Sequence, residues 1–279
     1  MQTALSDATH NRLLAALPPD ELGHLLDDCV PVTLKFAEVL AERGEPIAQV
    51  YFPTDCAIVM MTMMDENASV EVGLVGNEGV VGTALILDVT VSSQRALVQG
   101  PGGAMRIEAD LFRQALERSR ELRHLLNRYV HVVMAQLAQT AGCTRFHVVE
   151  ARLARWLLMT QDRARSDSFH VTHEFLAQVL GVRRVGITRA ATTLQGRGLI
   201  RYARGNIAIV DRAGLEARGA RLDKTDYGQY LLALAREGTG VIRDAESLRA
   251  ALRIIAAVIT VAPLLVILAR TDTRTIDGS

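Results

Sequence analysis

Lysine is almost absent from this chain. Lys35 and Lys224 are the only two in 279 residues, so the 31 basic side chains that balance 31 acidic ones are nearly all arginine. A codon bias toward Arg and Ala accounts for that preference without any function. With a formal net charge of zero, the chain as a whole has no attraction for nucleic acid or an anionic surface, so an electrostatic partner must be met by a local patch. Cysteine is scarce as well. Cys29, Cys56 and Cys143 lie far apart and form no CxxC, which argues against a disulfide framework and fits a reducing, cytoplasmic setting. Three thiols also exclude four-thiolate iron–sulfur ligation within one chain. Cys143 and His147 stand four apart, a spacing that can hold zinc, but two ligands without a third make no metal site. No cofactor is expected. The opening MQTALSDATH lacks a basic start followed by an apolar run, so a secretory leader is not expected. GxSxG and HExxH are missing, and the glycine-rich GNEGVVG and GPGG lack the Lys-Ser/Thr of a phosphate loop; an enzyme is not expected.

One absence is local and more telling. From Phe175 to Val210 there is no acidic residue, while six arginines fall in the same stretch. Upstream, Thr172 followed by His173 and Glu174 reads as a capped helix start. That helix meets Gly181, which can adopt the left-handed conformation of a tight turn. A second helix follows from about Arg183 to Gln195. Ile187, Ala191 and Leu194 share one stripe and must face a core, so Val185, Thr188, Arg189 and Thr192 point away, with Arg184 at the exposed first turn. Helix, glycine turn and helix with its polar side outward is a helix-turn-helix. GLIRYARGNIAIVD then alternates around RGN, a β-hairpin with its turn near Gly205-Asn206 that carries Arg201 and Arg204. The second helix of such a motif enters the major groove, where arginine pairs with guanine and carboxylates would be repelled. The expected DNA-binding residues are therefore Thr172, Arg183, Arg184, Val185, Thr188, Arg189, Thr192, Arg201 and Arg204.

The rest of the chain has a different texture. NRLLAALPPDELGHLLDDC reads as short amphipathic helices. Between about Val30 and Ile107, short apolar or alternating runs are punctuated by Gly, Pro and Asn, the pattern of an all-β barrel or jelly roll. Leu122, Leu126, Tyr129, Val133, Gln136 or Leu137, and Thr140 or Ala141 then recur at three- and four-residue steps. They mark a long helix from about Glu121 to Gly142, with the glycine expected at its stop. Such a helix suits a connecting rod or a two-helix dimer seam, or packs on its own domain. A second helix covers VVEARLARWLLMTQDRA. Ile254 to Ala269 is a sixteen-residue charge-free run, shorter than the roughly 20 residues that cross a bilayer, and Pro263 interrupts it.

Across residues 10 to 217 this order resembles the cyclic-AMP receptor protein/FNR (Crp/Fnr) superfamily of bacterial transcription regulators. VTHEFLAQVLGVRRVGITRAATTLQGRGLI follows the family's DNA-binding signature, and VYFP, GNEGVVG and SSQRALVQ carry a looser likeness in the sensor. The resemblance implies an α+β chain. Its parts would be a cyclic-nucleotide-binding-like β-roll, or jelly roll, at 1–120, a long dimerisation helix at 121–145, a winged helix-turn-helix at 146–217 and an extension at 218–279. It implies a homodimer that binds double-stranded DNA at an inverted repeat, and it leaves room for RNA polymerase as a partner. Members that bind cyclic AMP hold the ribose with Gly-Glu and the phosphate with Arg-Ser; here Gly82-Thr83 and Arg95-Ala96 stand at those places. Gly82, Thr83, Arg95 and Ala96 thus mark an effector pocket that has lost a carboxylate and a hydroxyl, so cyclic AMP is not the expected ligand. Arg95 is left for another anion or for an acid within the roll. On the second helix, Arg184, Val185 and Arg189 replace the cyclic-AMP receptor's Arg, Glu and Arg, which implies a different base pair opposite Val185. The alternative is a signalling adaptor anchored in a membrane through the apolar run.

Overall fold

The computed structural model describes residues 8–63, 69–164 and 166–219, all within one compact unit, Met1–Arg236. The apolar run 254–269, and the expected extension beyond Gly219, lie outside the described residues. Among those described, no helix is long and apolar enough to cross a membrane.

A short 3-10 turn at Leu14–Ala16 leads into α1, Pro19–Asp27, which starts with proline in its first turn as the PPDEL sequence predicts. The strands are β1 Cys29–Leu34, β2 Val39–Ala41, β3 Gln49–Pro53, β4 Ala57–Met63, β5 Ser69–Val75, β6 Arg95–Gly100 and β7 Gly102–Glu108. They form two antiparallel sheets, ordered β1-β7-β3 and β2-β6-β4-β5. Alternation along the strands divides their side chains between two cores. Tyr51 and Ala104 join Leu34, Ile58 and Val98 between the sheets. Their neighbours Val50, Phe52, Met105 and Ile107 face outward against helices. Those helices are α1, α2 (Ala109–Arg118) and α3 (Arg120–Phe146), and Phe52 meets Phe112 at a centroid distance of 6.2 Å. Burying one such side chain contributes about 1.5–3 kcal/mol, so this second core holds the long helix to the roll.

The long helix follows one of the alternatives its sequence left open and exceeds its expected bound. Leu122, Leu126, Tyr129 and Gln136 are buried within their own chain, so the apolar stripe packs on the roll. The helix also runs through Gly142 to Phe146, with the His147 amide donating to the Cys143 carbonyl at 3.1 Å. Glycine stops a helix when it turns left-handed; Gly142 stays helical, at the cost in backbone entropy that glycine carries.

Next comes α4, Val149–Ala164, buried on both sides. Leu153, Leu157 and Leu158 enter the core of the C-terminal unit. The other side meets the outer face of β4 and β5, where Met159 packs against a cluster of Val59, Met61 and Leu74. Two polar contacts cross this junction. Trp156 Nε1 donates to Glu71 Oε2 at 2.8 Å, and Arg163 Nη2 lies 2.6 Å from Glu78 Oε1 with both side chains withdrawn from solvent. Burial pushes the Glu71 carboxyl up from 4.5 to about 7, a rise opposed by the Trp156 hydrogen bond and by the charges of Arg163 and Arg155.

Two outcomes are expected from the junction. Because the Glu71 pKa is raised on folding, its contribution to stability is complete below about pH 4.5 and is lost as pH rises through about 7. Thermal unfolding should therefore show wild type losing stability between pH 5 and pH 8 relative to Glu71→Gln, and parallel pH profiles would refute this. Glu78→Leu should cost about 3–5 kcal/mol by stranding the Arg163 charge, and adding Arg163→Met should recover most of that in denaturant titrations. No recovery in the double variant would show that Glu78 acts through other contacts.

Candidate nucleic-acid interface

The C-terminal unit adds β8 (Ser168–His170), α5 (His173–Val179), α6 (Arg184–Gly196), β9 (Ile200–Ala203), β10 (Asn206–Ile209) and α7 (Arg212–Arg218). Thr172 caps α5, its hydroxyl oxygen accepting from the Phe175 amide at 3.1 Å. Gly181 has φ +60°, the left-handed value that lets the chain reverse before α6. Ile187, Ala190, Ala191 and Leu194 are buried against Leu153, Leu176 and Val179, which fixes which way α6 faces.

The opposite side of α6 is open. Arg183, Arg184, Val185, Thr188, Arg189 and Thr192 are all exposed, and Val185 leaves 58% of its surface to solvent. Nothing in the described chain engages the side chains of Arg183 and Arg189. Arg184 has only a loose contact with Glu174 at 3.9 Å between two exposed groups, worth little in water. Thr188 is less free than its position suggests: its hydroxyl lies 3.2 Å from the Arg184 carbonyl and 3.1 Å from His173 Nδ1.

A three-stranded sheet, β8-β10-β9, forms the wing. Ala203 pairs with Asn206, so the turn is Arg204-Gly205, one residue earlier than the sequence reading placed it. Both turn residues have positive φ, +49° and +81°, as a two-residue hairpin of the right twist requires. At Gly205 a Cβ would approach His170 Cε1 to 2.7 Å, so the glycine serves packing as well as the turn. Arg201 and Arg204 are exposed.

Sequence reasoning missed the tie between wing and helix pair. The rings of His173 and Tyr202 stack in parallel, with centroids 4.5 Å apart, and the Tyr202 amide donates to Gln195 Oε1 at 2.7 Å. His173, at the start of α5, is half-buried because the wing folds over it. Burial, then the Arg184 charge, lowers its pKa, which favours the neutral ring. His170 is exposed and meets Asn206 Oδ1 at 3.1 Å.

The four pocket residues of the roll are placed differently. Gly82 has φ +104°, and a Cβ there would lie 2.9 Å from Val50 Cγ2, so its role is in the backbone. Thr83 opens the 3-10 turn Thr83–Leu87, and Ala96 is buried between the sheets. Arg95 Nε lies 3.2 Å from Glu42 Oε2, close enough for an ion pair although not aligned as a hydrogen bond. Glu78 is committed to Arg163. Cys29 and Cys56 are pushed up to about 12 by burial and are poor nucleophiles. Among the described residues no three His, Cys, Asp or Glu side chains gather as a metal site.

Residues 151–218 match the family model of the Crp-like helix-turn-helix domain. The C-terminal unit is therefore a Crp-like helix-turn-helix domain. Its fold is similar to a structure from Eubacterium rectale described as a Crp/Fnr-family transcriptional regulator. That match has 17% identity and a TM-score of 0.61 and covers 76% of this chain and 99% of the other. FixK2 from Bradyrhizobium japonicum is 14% identical with a TM-score of 0.59, over 69% of this chain and 98% of that one. CLP from Xanthomonas campestris, described as c-di-GMP responsive, is 14% identical with a TM-score of 0.58, over 69% and 99%. At such identities the likeness to these structures is one of fold. No curated protein sequence matches this chain.

Proposed function

We propose that this Crp/Fnr protein is a transcription regulator that reads an inverted-repeat DNA operator as a homodimer. The observation that carries the reading is the solvent face of α6. It presents Arg183, Arg184 and Arg189 around an uncovered Val185, on a segment without one carboxylate. A face of this chemistry suits the major groove. Arg184 and Arg189 can each donate two bonds to a guanine edge, and Val185 can lie against a thymine methyl. Arg201 and the turn residue Arg204 suit the adjoining phosphates, which fix position without reading sequence. Thr172 serves the same end from its cap, while Thr188 contributes by holding His173 beneath the helix. Thr192 lines the far end of the reading face.

The homodimer is supported by the side of α3 that the roll leaves uncovered. Asn127, His131, Met134, Ala138, Ala141 and Arg145 recur at alternating four- and three-residue steps, the spacing of a two-helix seam. All are exposed or half-exposed, and Met134 leaves 54% of its surface to solvent. Two copies joined there would carry paired reading helices to half-sites one helical turn apart. The cyclic-AMP reading of the roll is not favoured, since Thr83 offers no carboxylate and Arg95 already faces Glu42. A regulator of this kind acts in the cytoplasm, without catalysis, and RNA polymerase is a natural partner.

Arg189→Ala should weaken binding to the selected operator by about 1–3 kcal/mol and relax one base position, whereas Arg204→Ala should weaken all sequences alike and flatten the salt dependence. Selection from a random duplex library followed by salt titration of each variant separates the two. Equal, sequence-blind losses would remove Arg189 as a base reader. Met134→Asp should convert the dimer to monomer in light scattering and cost operator affinity; a dimer of unchanged mass would place the seam elsewhere.

A further inference from the structure

We propose that the cleft between the roll and the winged unit is a binding site for a small planar molecule, neutral or singly cationic, that carries N–H donors. The cleft has a volume of about 490 Å³, within the range of small-molecule sites. It is distinct from the Gly82–Ala96 region, and it joins residues of the roll to residues of α4 and β8.

Two buried polar atoms mark it as more than a gap. Gln99 on β6 and Thr160 on α4 both line the cleft and are only 8% and 3% exposed. Gln99 Oε1 and Thr160 Oγ1 have no hydrogen-bond partner in the described chain, although one comes from each side of the junction. Buried polar groups are almost always paired, and the open space beside both of these is the cleft. A free amide oxygen asks for a donor, and a hydroxyl can serve either role.

The remaining lining sets the ligand's shape and charge. Phe36 leaves 56% of its surface to solvent and lines the roll side, while Phe169 lines the β8 side. Two aromatic side chains suit a flat ring. Asp55 and His170 are the ionisable residues among those that line the cleft, and no arginine or lysine joins them. In a chain so rich in arginine, a lining with one carboxylate and no fixed cation favours a donor-bearing cation over an anion, and because Asp55 Oδ1 already accepts from the Gly103 amide the contact falls to Oδ2. An occupant would also reach the wing, because His170 packs on Gly205 and meets Asn206 at the base of the turn that carries Arg204. A ligand that fits one placement of roll and wing better than another would shift the population toward it.

Benzamidine, a planar cation with N–H donors, and benzoate, its anionic counterpart of similar shape, are the probes. Calorimetric titration of the full-length protein without DNA should show saturable benzamidine binding at one per chain and none for benzoate. Gln99→Leu should weaken benzamidine at least about tenfold, with Thr160→Val as a second variant should the first fail to fold. No saturable benzamidine binding at millimolar concentration overturns the proposal. Affinity unchanged in the folded variants, or benzoate binding equally well, does the same. Because DNA takes no part, the outcome is separate from that of the operator reading.

Discussion

The two-sided burial of α4 is the constraint on which the described structure rests. Most surface helices bury one stripe, but this one is covered by the winged core on one side and by the outer face of β4 and β5 on the other. A helix in that position cannot carry charge without partners. Arg163 is tolerated because Glu78 meets it at 2.6 Å, and the Trp156 indole is satisfied by Glu71 at 2.8 Å. The same two contacts specify register between roll and winged unit, since apolar packing alone would permit sliding. Glycine at position 76 belongs to this arrangement: a Cβ there would lie 2.6 Å from Arg163 Cγ.

That constraint has a consequence for α3. Its apolar stripe is consumed by the roll through Leu122, Leu126 and Tyr129, which leaves Met134, Ala138 and Ala141 uncovered on the other side. One helix therefore has two buried faces of different character in the proposed dimer. The face against the roll is large and leucine-rich; the seam is narrow and partly polar, the composition expected of a contact that specifies pairing more than it adds stability.

The four roll positions marked as an effector pocket are engaged within the roll. Arg95 faces Glu42, Ala96 fills space between the sheets, and Gly82 is required by its backbone angle and by Val50. Each of the four positions has a structural use within the roll. Among the buried polar groups without partners, Gln99 and Thr160 lie beside one junction cleft, and Gln136 and Arg155 beside a smaller one. Polar groups left without partners at a domain junction are where a ligand can alter the balance between two arrangements.

The reading head was legible in the amino-acid sequence because every signal in it is local. The Thr172 cap acts across three residues, Gly181 reports its own φ, the Ile187, Ala191 and Leu194 stripe follows helical period, and the wing's turn spans two residues. Six arginines without an acid could be counted directly. Even there the turn moved by one position, because Arg204 accepts a left-handed conformation that sequence alone assigns to Gly or Asn. What tertiary structure decided is long-range. The choice of α3 face could not be read, because both faces carry residues that bury well and only the roll's shape selects between them. Glu71 and Trp156 are 85 residues apart, and neither has a neighbour in sequence that announces the other. Local propensity wrote the outward face of α6; burial against the roll determined what the winged unit is connected to.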